Sequence, residues 1–296
     1  MKIWISDKAL SDKDKNLLRS GALYGCKRLQ ELGHKLSFST EALSESQRAL
    51  IENETITNTP FADSEADLKI RFEEGKLKAI DDSGEEIESA GKWSDLSNKI
   101  CFPSRRASCR RSTAETDISI GLNLDGTGKS NIATGLGFFD HMLEQIAKHG
   151  LIDLSISCEG DLEVDEHHTI EDVAITLGET LRKALGKKIG IQRYGFTLPM
   201  DETSANIAVD LSGRPYLVFD AYFNREKVGD FPTEMVEHFF YSLAINLQAT
   251  LHISVTGEND HHKIEACFKG FAHCLRTAVS RSERNANILP STKDLL

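Results

Sequence analysis

The chain has no long apolar run. Nothing in its 296 residues approaches the roughly 20 consecutive apolar residues that span a bilayer, so no membrane association is expected. The opening "MKIWISDKALSDKDK" carries charges in its first turns and no apolar segment, and does not read as a secretory signal. The six cysteines (26, 101, 109, 158, 267, 274) form no CxxC pair and no regular framework. They read as reduced thiols of a cytoplasmic protein. Positive charge is outweighed: the net charge is −11 and the pI near 5.4, which argues against nucleic acid as the main partner. Histidine is scarce at first. Only His34 precedes His141, and the other nine follow from there, so the chemistry is expected in the last two thirds.

What is present fits a globular chain of one large or two modest domains, with 40% hydrophobic and 27% charged residues. Residues 1–104 and 105–296 differ in character. The first part is polar, with loop-like stretches such as "NETITNTPFADSEAD" and "DDSGEEIESAGKWSD". Within it, "LLRSGALYGCKRLQELG" predicts an amphipathic helix running to Leu32 and stopped by Gly33. "HKLSFST" predicts a strand, and "ADLKIRFEEGKLKAIDDSG" a hairpin turning at "EEG". From Arg105 the pattern changes to strands and helices in a repeated order, each half (about 105–195 and 196–296) running strand, strand, helix, strand, helix. Ile118, Ile120, Leu122 and Leu124 share one strand face, and positions 173, 177, 181 and 185 share one helix face.

Each half spells the same motif. "DEHHTIED" begins at Asp165 and "NDHHKIEA" at Asn259; His141 precedes His167 by 26 residues and His238 precedes His261 by 23. Asp140 and Glu237 stand just before the upstream histidines. This is an internal duplication. On a helix His167 and Glu171 are i and i+4 and share a face, as do His261 and Glu265. His168 and His262 lie about 100° round and look elsewhere. Six imidazoles and two carboxylates then offer about four ligands to each of two ions, a donor set suited to manganese, iron, cobalt or zinc. His149, His252 and His273 lack the symmetry; the last two are expected to be structural. "GTGKS" ends like a phosphate-binding loop and "NLDGT" like a phosphatase nucleophile motif, but both need another residue at Asn123. "LDGTGK" is expected to be a strand-ending turn. "RRASCRR" is expected to be an anion-facing or intersubunit edge. Arg193, Arg214 and Lys269, with Ser291, Thr292 and Lys293 of "PSTK", would suit a phosphate.

These stretches resemble the imidazoleglycerol-phosphate dehydratase family. The resemblance rests on "RRASCRRSTAET", "LDGTGKSNIATGLGFFDHMLEQIAKHG", "GDLEVDEHHTIEDVAITLGE", "GIQRYG", "MDETSANIAVDLSGRPYL", "VGDFPTEMVEHFF", "ENDHHKIEACFKGFA" and "PSTKDLL", and covers about 105–296. The tail has Asp294 where the family pattern has glycine. The resemblance implies an α/β (α+β) fold of the ribosomal protein S5 domain 2-like kind, duplicated, each half a four-stranded sheet backed by helices. It also implies two manganese ions per site and a homo-oligomer, a 24-mer built from trimers, with sites at subunit contacts. His167, Glu171, His261 and Glu265 resemble the ligands of one metal environment; His141, His168, His238 and His262 resemble those of the other. Glu115 resembles the substrate-side acid/base, with Glu171 and Glu265 as rivals. Arg193, Arg214, Lys269, Ser291, Thr292 and Lys293 match phosphate contacts, with His141 and His149 also on the substrate side. The implied reaction removes water from imidazoleglycerol phosphate to give imidazoleacetol phosphate in histidine biosynthesis, the imidazole ring serving as electron sink.

Residues 1–104 faintly resemble a haloacid dehalogenase-type phosphatase segment, but contain no DxDxT nucleophile motif. This small α/β region is expected to be a degenerate appendage without phosphatase activity. Two rival readings of the metal motifs stand beside the lyase: a dinuclear metallohydrolase, and a non-catalytic assembly protein stapled by metal.

Overall fold

A computed structural model describes residues 1–12 and 17–296; part of the opening charged segment therefore lies outside the described residues. The chain divides into two compact units, Met1–Pro103 and Ser104–Leu296.

The first unit runs β1 (Lys2–Ile5), α1 (Asp7–Leu10), β2 (Ser11–Asp12), β3 (Leu17–Leu18), α2 (Ala22–Glu31), β4 (Lys35–Phe38), α3 (Glu45–Asn53), β5 (Leu68–Glu73), β6 (Lys76–Asp81), β7 (Glu86–Ala90) and α4 (Trp93–Cys101). Its main sheet has the order β4-β1-β5-β6-β7, with β1 parallel to both β4 and β5 and the rest antiparallel. Ile3, Ile5, Leu29, Leu36, Ile70 and Trp93 form its core, and the Trp93 indole donates to the Ala9 carbonyl at 2.9 Å. The hairpin turn falls at Glu74 and Gly75, both with positive φ, as a two-residue turn matched to strand twist requires. Two expectations need correction. The helix expected over "LLRSGALYGCKRLQELG" is α2 and starts at Ala22, because Gly21 takes φ 80° and Leu17–Leu18 form a short strand instead. "DDSGEEIESAGKWSD" is no loop: it holds β7 and the start of α4. Every residue of β7 is at least partly exposed, so an edge strand there shows no hydrophobic alternation to read.

The second unit runs β8 (Arg106–Ser112), β9 (Thr116–Asn123), β10 (Ser130–Ala133), α5 (Gly137–Gly150), β11 (Asp153–Gly160) and α6 (His167–Leu185). It continues with β12 (Tyr194–Met200), β13 (Thr203–Asp210), β14 (Tyr216–Asp220), β15 (Lys227–Val228), β16 (Phe231–Pro232), α7 (Glu234–Leu247), β17 (Thr250–Thr256) and α8 (Asp260–Val279). Its two four-stranded sheets have the orders β10-β11-β9-β8 and β12-β13-β17-β14. Read from the first hairpin of each half, the topology is identical, including one parallel edge pair in each sheet. The duplication in the sequence is thus a duplication of architecture, in a mixed α/β fold.

The two halves share one core. Val173, Leu177, Leu181 and Leu185 are buried with Phe139, Phe239, Phe240, Phe268 and Phe271. Burying one such side chain contributes about 1.5–3 kcal/mol. The helices cross between halves: α6 packs on α7, and α5 on α8. Gly178 allows the first contact, since a Cβ there would meet Leu243 O and Leu247 N at 2.9 Å each. That cross-packing decides which side chains can meet.

Candidate active site

The α6 N-terminus carries His167 and Glu171 one turn apart on one face. The neighbouring helix α7 brings His238, whose Nε2 lies 3.1 Å from Glu171 Oε1, while His167 Nε2 lies 3.8 Å from Glu171 Oε2. Ligand atoms of these three residues all lie within 4.8 Å of one another. The other half repeats the arrangement: His141 Nε2 of α5 lies 3.7 Å from Glu265 Oε1, and His261 Nε2 lies 3.8 Å from Glu265 Oε2. In this second cluster the distance between helices is longer, and the Lys269 ammonium also pairs with Glu265 Oε1 at 2.8 Å.

This grouping differs from the one the resemblance implied. Within the chain, each helix motif meets the upstream histidine of the opposite half. His167 and Glu171 sit with His238, and His261 and Glu265 with His141. His168 and His262 turn away from both clusters, as their position on the helix requires.

The donor chemistry fits a metal. Each cluster offers two imidazole nitrogens and a carboxylate, as nitrogen-preferring divalent ions require. His238 Nε2 is buried and makes no hydrogen bond, although Glu171 is only 3.1 Å away; the short distance lacks hydrogen-bond geometry. A buried ring nitrogen without a proton partner, aimed at a carboxylate, suits a shared cation.

The outward histidines have carboxylate partners. His168 Nδ1 lies 3.1 Å from both Asp161 oxygens, and its Nε2 lies 3.6 Å from Glu115 Oε1. His262 Nδ1 lies 2.9 Å from Glu202 Oε2. Asp161 and Glu202 thereby hold His168 and His262 above the usual imidazole pKa. In return the hydrogen bond from His262, helped by the Asn259 backbone N–H, lowers the Glu202 carboxyl to about 2. Neither Asp161 nor Glu202 is evident as a site residue from the HHxxE motifs. One signal was available: Glu115–Thr116 and Glu202–Thr203 repeat the same dipeptide, each at the first hairpin of its half.

Glu115 is set in that hairpin by its neighbours. Thr113 Oγ1 accepts from the backbone N–H groups of Glu115 and Thr116, at 3.1 and 3.0 Å. The Thr116 hydroxyl donates to Asp172 Oδ2 at 2.6 Å, and Arg111 Nε donates to Asp172 Oδ1 at 2.8 Å. Asp172 follows Glu171 in the chain, so the turn bearing Glu115 is fastened to the helix bearing the metal motif.

The cationic residues fall in two places. Arg193, Arg214, Ser291, Thr292 and Lys293 line one cavity of about 440 Å³ together with Ser212 and Gly213. Arg193 is not a free cation there. Its guanidinium bonds Asp210 through Nε and Nη2 and donates from Nη1 to the Pro290 carbonyl at 2.9 Å, which anchors the "PSTK" tail. Lys269 and His149 line a separate cavity of about 340 Å³ with His273, Met200 and Asp201. Burial pushes both His149 and His273 below the usual imidazole pKa, and their rings lie 5.3 Å apart. His252 lies on β17, exposed. "RRASCRR" forms edge strand β8, and its arginines are largely committed. Arg105 pairs with Asp125, Arg110 with Asp117 and Arg111 with Asp172. Asp140, before His141, is tied to its own loop: its Oδ1 accepts from Thr134 N and Oγ1. In the "LDGTGK" turn, Asp153 Oδ1 accepts from the Thr127 and Lys129 backbone N–H groups, consistent with a strand-ending turn.

A family model for imidazoleglycerol-phosphate dehydratase matches residues 134–275. The chain is 54% identical over 206 residues to the histidine biosynthesis bifunctional protein HisB of Spirosoma linguale, covering 70% of this chain and 54% of that one. It is 56% identical over 194 residues to the protein of that name from Actinobacillus pleuropneumoniae, covering 66% and 53%. The chain therefore spans about half the length of these curated relatives. Among solved structures, imidazoleglycerol-phosphate dehydratase of Staphylococcus aureus superposes with a TM-score of 0.55 at 40% identity, covering 60% of this chain and 99% of that one. The Pyrococcus furiosus structure gives 0.55 at 38% identity, covering 64% and 100%. With nearly the whole of two such structures matched, the chain belongs to the imidazoleglycerol-phosphate dehydratase family.

Proposed function

We propose that the second unit is a manganese-dependent carbon–oxygen hydro-lyase. It dehydrates D-erythro-imidazoleglycerol phosphate to imidazoleacetol phosphate and water in histidine biosynthesis. The observation that carries this reading is the pair of two-histidine, one-carboxylate clusters, His167/Glu171/His238 and His261/Glu265/His141, with the hairpin glutamate Glu115 facing the neighbouring His168. Manganese, when bound, would withdraw electron density from the substrate's imidazole nitrogens, so that the ring accepts the charge left by the departing proton. No carbonyl activates that proton, so this sink is needed.

The chain's own groups supply the rest. Glu115 is exposed, and its Oε1 faces His168 Nε2 at 3.6 Å. Its carboxylate takes the proton from the substrate carbon and returns one to the leaving hydroxyl. Glu171 and Glu265 stand within reach of two histidines each, which favours ligation over proton transfer. Arg214, Ser291, Thr292 and Lys293 bind the phosphate by charge-assisted hydrogen bonds, Arg193 holding the tail that carries three of them. His149 and Lys269 serve the substrate from the second cavity.

Three ligands per cluster leave coordination positions open, while His168 and His262 face away. This supports a homo-oligomer, in the family pattern a 24-mer of trimers, whose sites are completed at subunit contacts. No helix among the described residues is long and apolar enough to cross a membrane, and a cytoplasmic location fits a biosynthetic role. The test is turnover: metal-stripped protein, manganese added back, imidazoleglycerol phosphate supplied, and product followed by its absorbance in alkali. Manganese-dependent product supports the assignment; well-assembled, manganese-loaded protein without product refutes it.

A further inference from the structure

The duplication has left each half with a glutamate at the tip of its first hairpin, Glu115 and Glu202, and these two residues are engaged differently. Glu115 approaches the Nε2 side of His168, at 3.6 Å, while Asp161 holds that ring by Nδ1. Glu202 takes the opposite side of its own histidine: Oε2 lies 2.9 Å from His262 Nδ1. Its other oxygen is occupied too. Oε1 accepts from the Asn259 backbone N–H at 3.0 Å and from Thr203 Oγ1 at 3.3 Å. Asn259 in turn caps α8, its Oδ1 accepting from the His261 N–H at 2.9 Å. Glu202 thus grips the ring of one candidate ligand and the cap beneath the next.

We propose that Glu202 is a positioning residue: it fixes His262 with Nδ1–H bonded to protein and Nε2 presented as the metal-binding nitrogen, as Asp161 does for His168. A ligating imidazole needs its other ring nitrogen held, because that hydrogen bond selects the tautomer and the ring plane. Of the two duplicated hairpin glutamates, only Glu115 then keeps a carboxylate free to move protons. This inference rests on the metal-dependent lyase reading for what His262 binds, but not for how His262 is held.

The experiment compares wild type, Glu202→Ala, Glu202→Gln and Glu115→Gln as full-length chains. Manganese binding is titrated by the paramagnetic resonance of the free ion. The histidine tautomers are read from solid-state ¹⁵N spectra of the metal-free proteins. Glu202→Ala is expected to weaken one class of manganese site by about 10–100-fold, the usual effect of deleting an outer-shell partner, and to release the His262 tautomer. Glu202→Gln, whose amide oxygen still accepts from Nδ1–H, should recover most of the affinity. Glu115→Gln should leave manganese binding unchanged. Two results overturn the proposal. One is Glu202→Ala with wild-type manganese affinity and an unchanged His262 signal. The other is unchanged manganese affinity with lost turnover, which would make Glu202 a proton-transfer group. A wild type that binds no manganese, together with a tautomer that changes in Glu202→Ala, would sink the lyase reading and keep the hydrogen-bonding role.

Discussion

Lys263 and Asp260 form an ion pair at the start of α8, with side chains only 3% and 1% exposed and Nζ 2.5 Å from Oδ1. The same ammonium donates to the Tyr222 carbonyl at 2.6 Å. Asp260 Oδ2 accepts from the backbone N–H groups of Asn224 and Arg225, both at 2.8 Å. One pair therefore fastens the 222–225 loop to the helix turn that presents His261 and His262. Lys263→Met keeps the apolar stem and deletes the charge. It leaves a buried carboxylate supported by two backbone donors only. Removing one partner of a buried pair costs about 3–5 kcal/mol, and the surviving donors place this case near the lower figure. For a unit of this size, about 2–4 °C of Tm per kcal/mol gives a fall of roughly 6–12 °C. The assay is thermal unfolding of metal-free protein at fixed concentration, since assembly also moves Tm. The pH dependence has a definite sign. Burial raises the Asp260 pKa, but Lys263 and the two N–H groups outweigh it, and the net shift is downward from 3.8. Its stabilising contribution is then complete above that value and lost as pH falls through the lower folded one. A Lys263→Met protein within about 1 kcal/mol of wild type above pH 5 would refute the argument, because a desolvated carboxylate does not lose its counter-charge at so small a cost.

Three further outcomes follow from other parts of the molecule. Glu115→Gln should lower kcat by about 10²–10⁴-fold, the usual share of a general base, while gel filtration shows unchanged assembly; near-normal turnover would remove Glu115 from the chemistry. Gly178→Ala forces a Cβ against Leu243 O and Leu247 N at 2.9 Å, and is expected to cost about 1–3 kcal/mol in denaturant unfolding; no change would mean that α6 and α7 can separate freely. The first unit should not hydrolyse histidinol phosphate. Asp7 follows the parallel strand β1, but the residue two places on is the fully buried Ala9, so the paired carboxylates of a DxD motif are not present there; robust phosphate release by purified protein would contradict this.

The duplicated fold was legible because its signal is periodic. Apolar residues at 173, 177, 181 and 185 can only face a core, and all four are buried. Two copies of one motif mark two copies of one unit. The cross-pairing of the clusters was not legible. Spacing along a helix fixes which side chains share its face, not which other helix that face meets. His238 reaches Glu171 because α7 lies on α6, and that neighbour is chosen by packing around Gly178. Asp161 and Glu202 escaped for a related reason: each lies outside the helix it serves, and a lone acid in a turn is ordinarily solvated. Strand β7 escaped because an edge strand with two exposed faces has no alternation. Arg193 was legible as a charge, but its bonds to the Asp210 carboxylate and to the Pro290 carbonyl of the tail were not, since a sequence shows a charge and not its partners.

The asymmetry between the halves carries the last step. A duplicated chain begins with two equivalent clusters and two equivalent hairpin glutamates, and every difference between them is a departure from that symmetry. The clusters have departed little: each keeps two histidines and a carboxylate, the donors that one proposed ion would require at both places. The surroundings have departed more. Lys269 pairs with Glu265, whereas among the described residues Glu171 meets only the histidines His167 and His238 as charge partners. Asp161 supports His168 and leaves Glu115 clear, whereas Glu202 supports His262 itself. The proposed substrate, with a phosphate at one end and an imidazole at the other, is not symmetric. A site that bound it in one orientation and moved one proton would need two similar ligand sets and only one free base, and the departures in this chain match that proposed division.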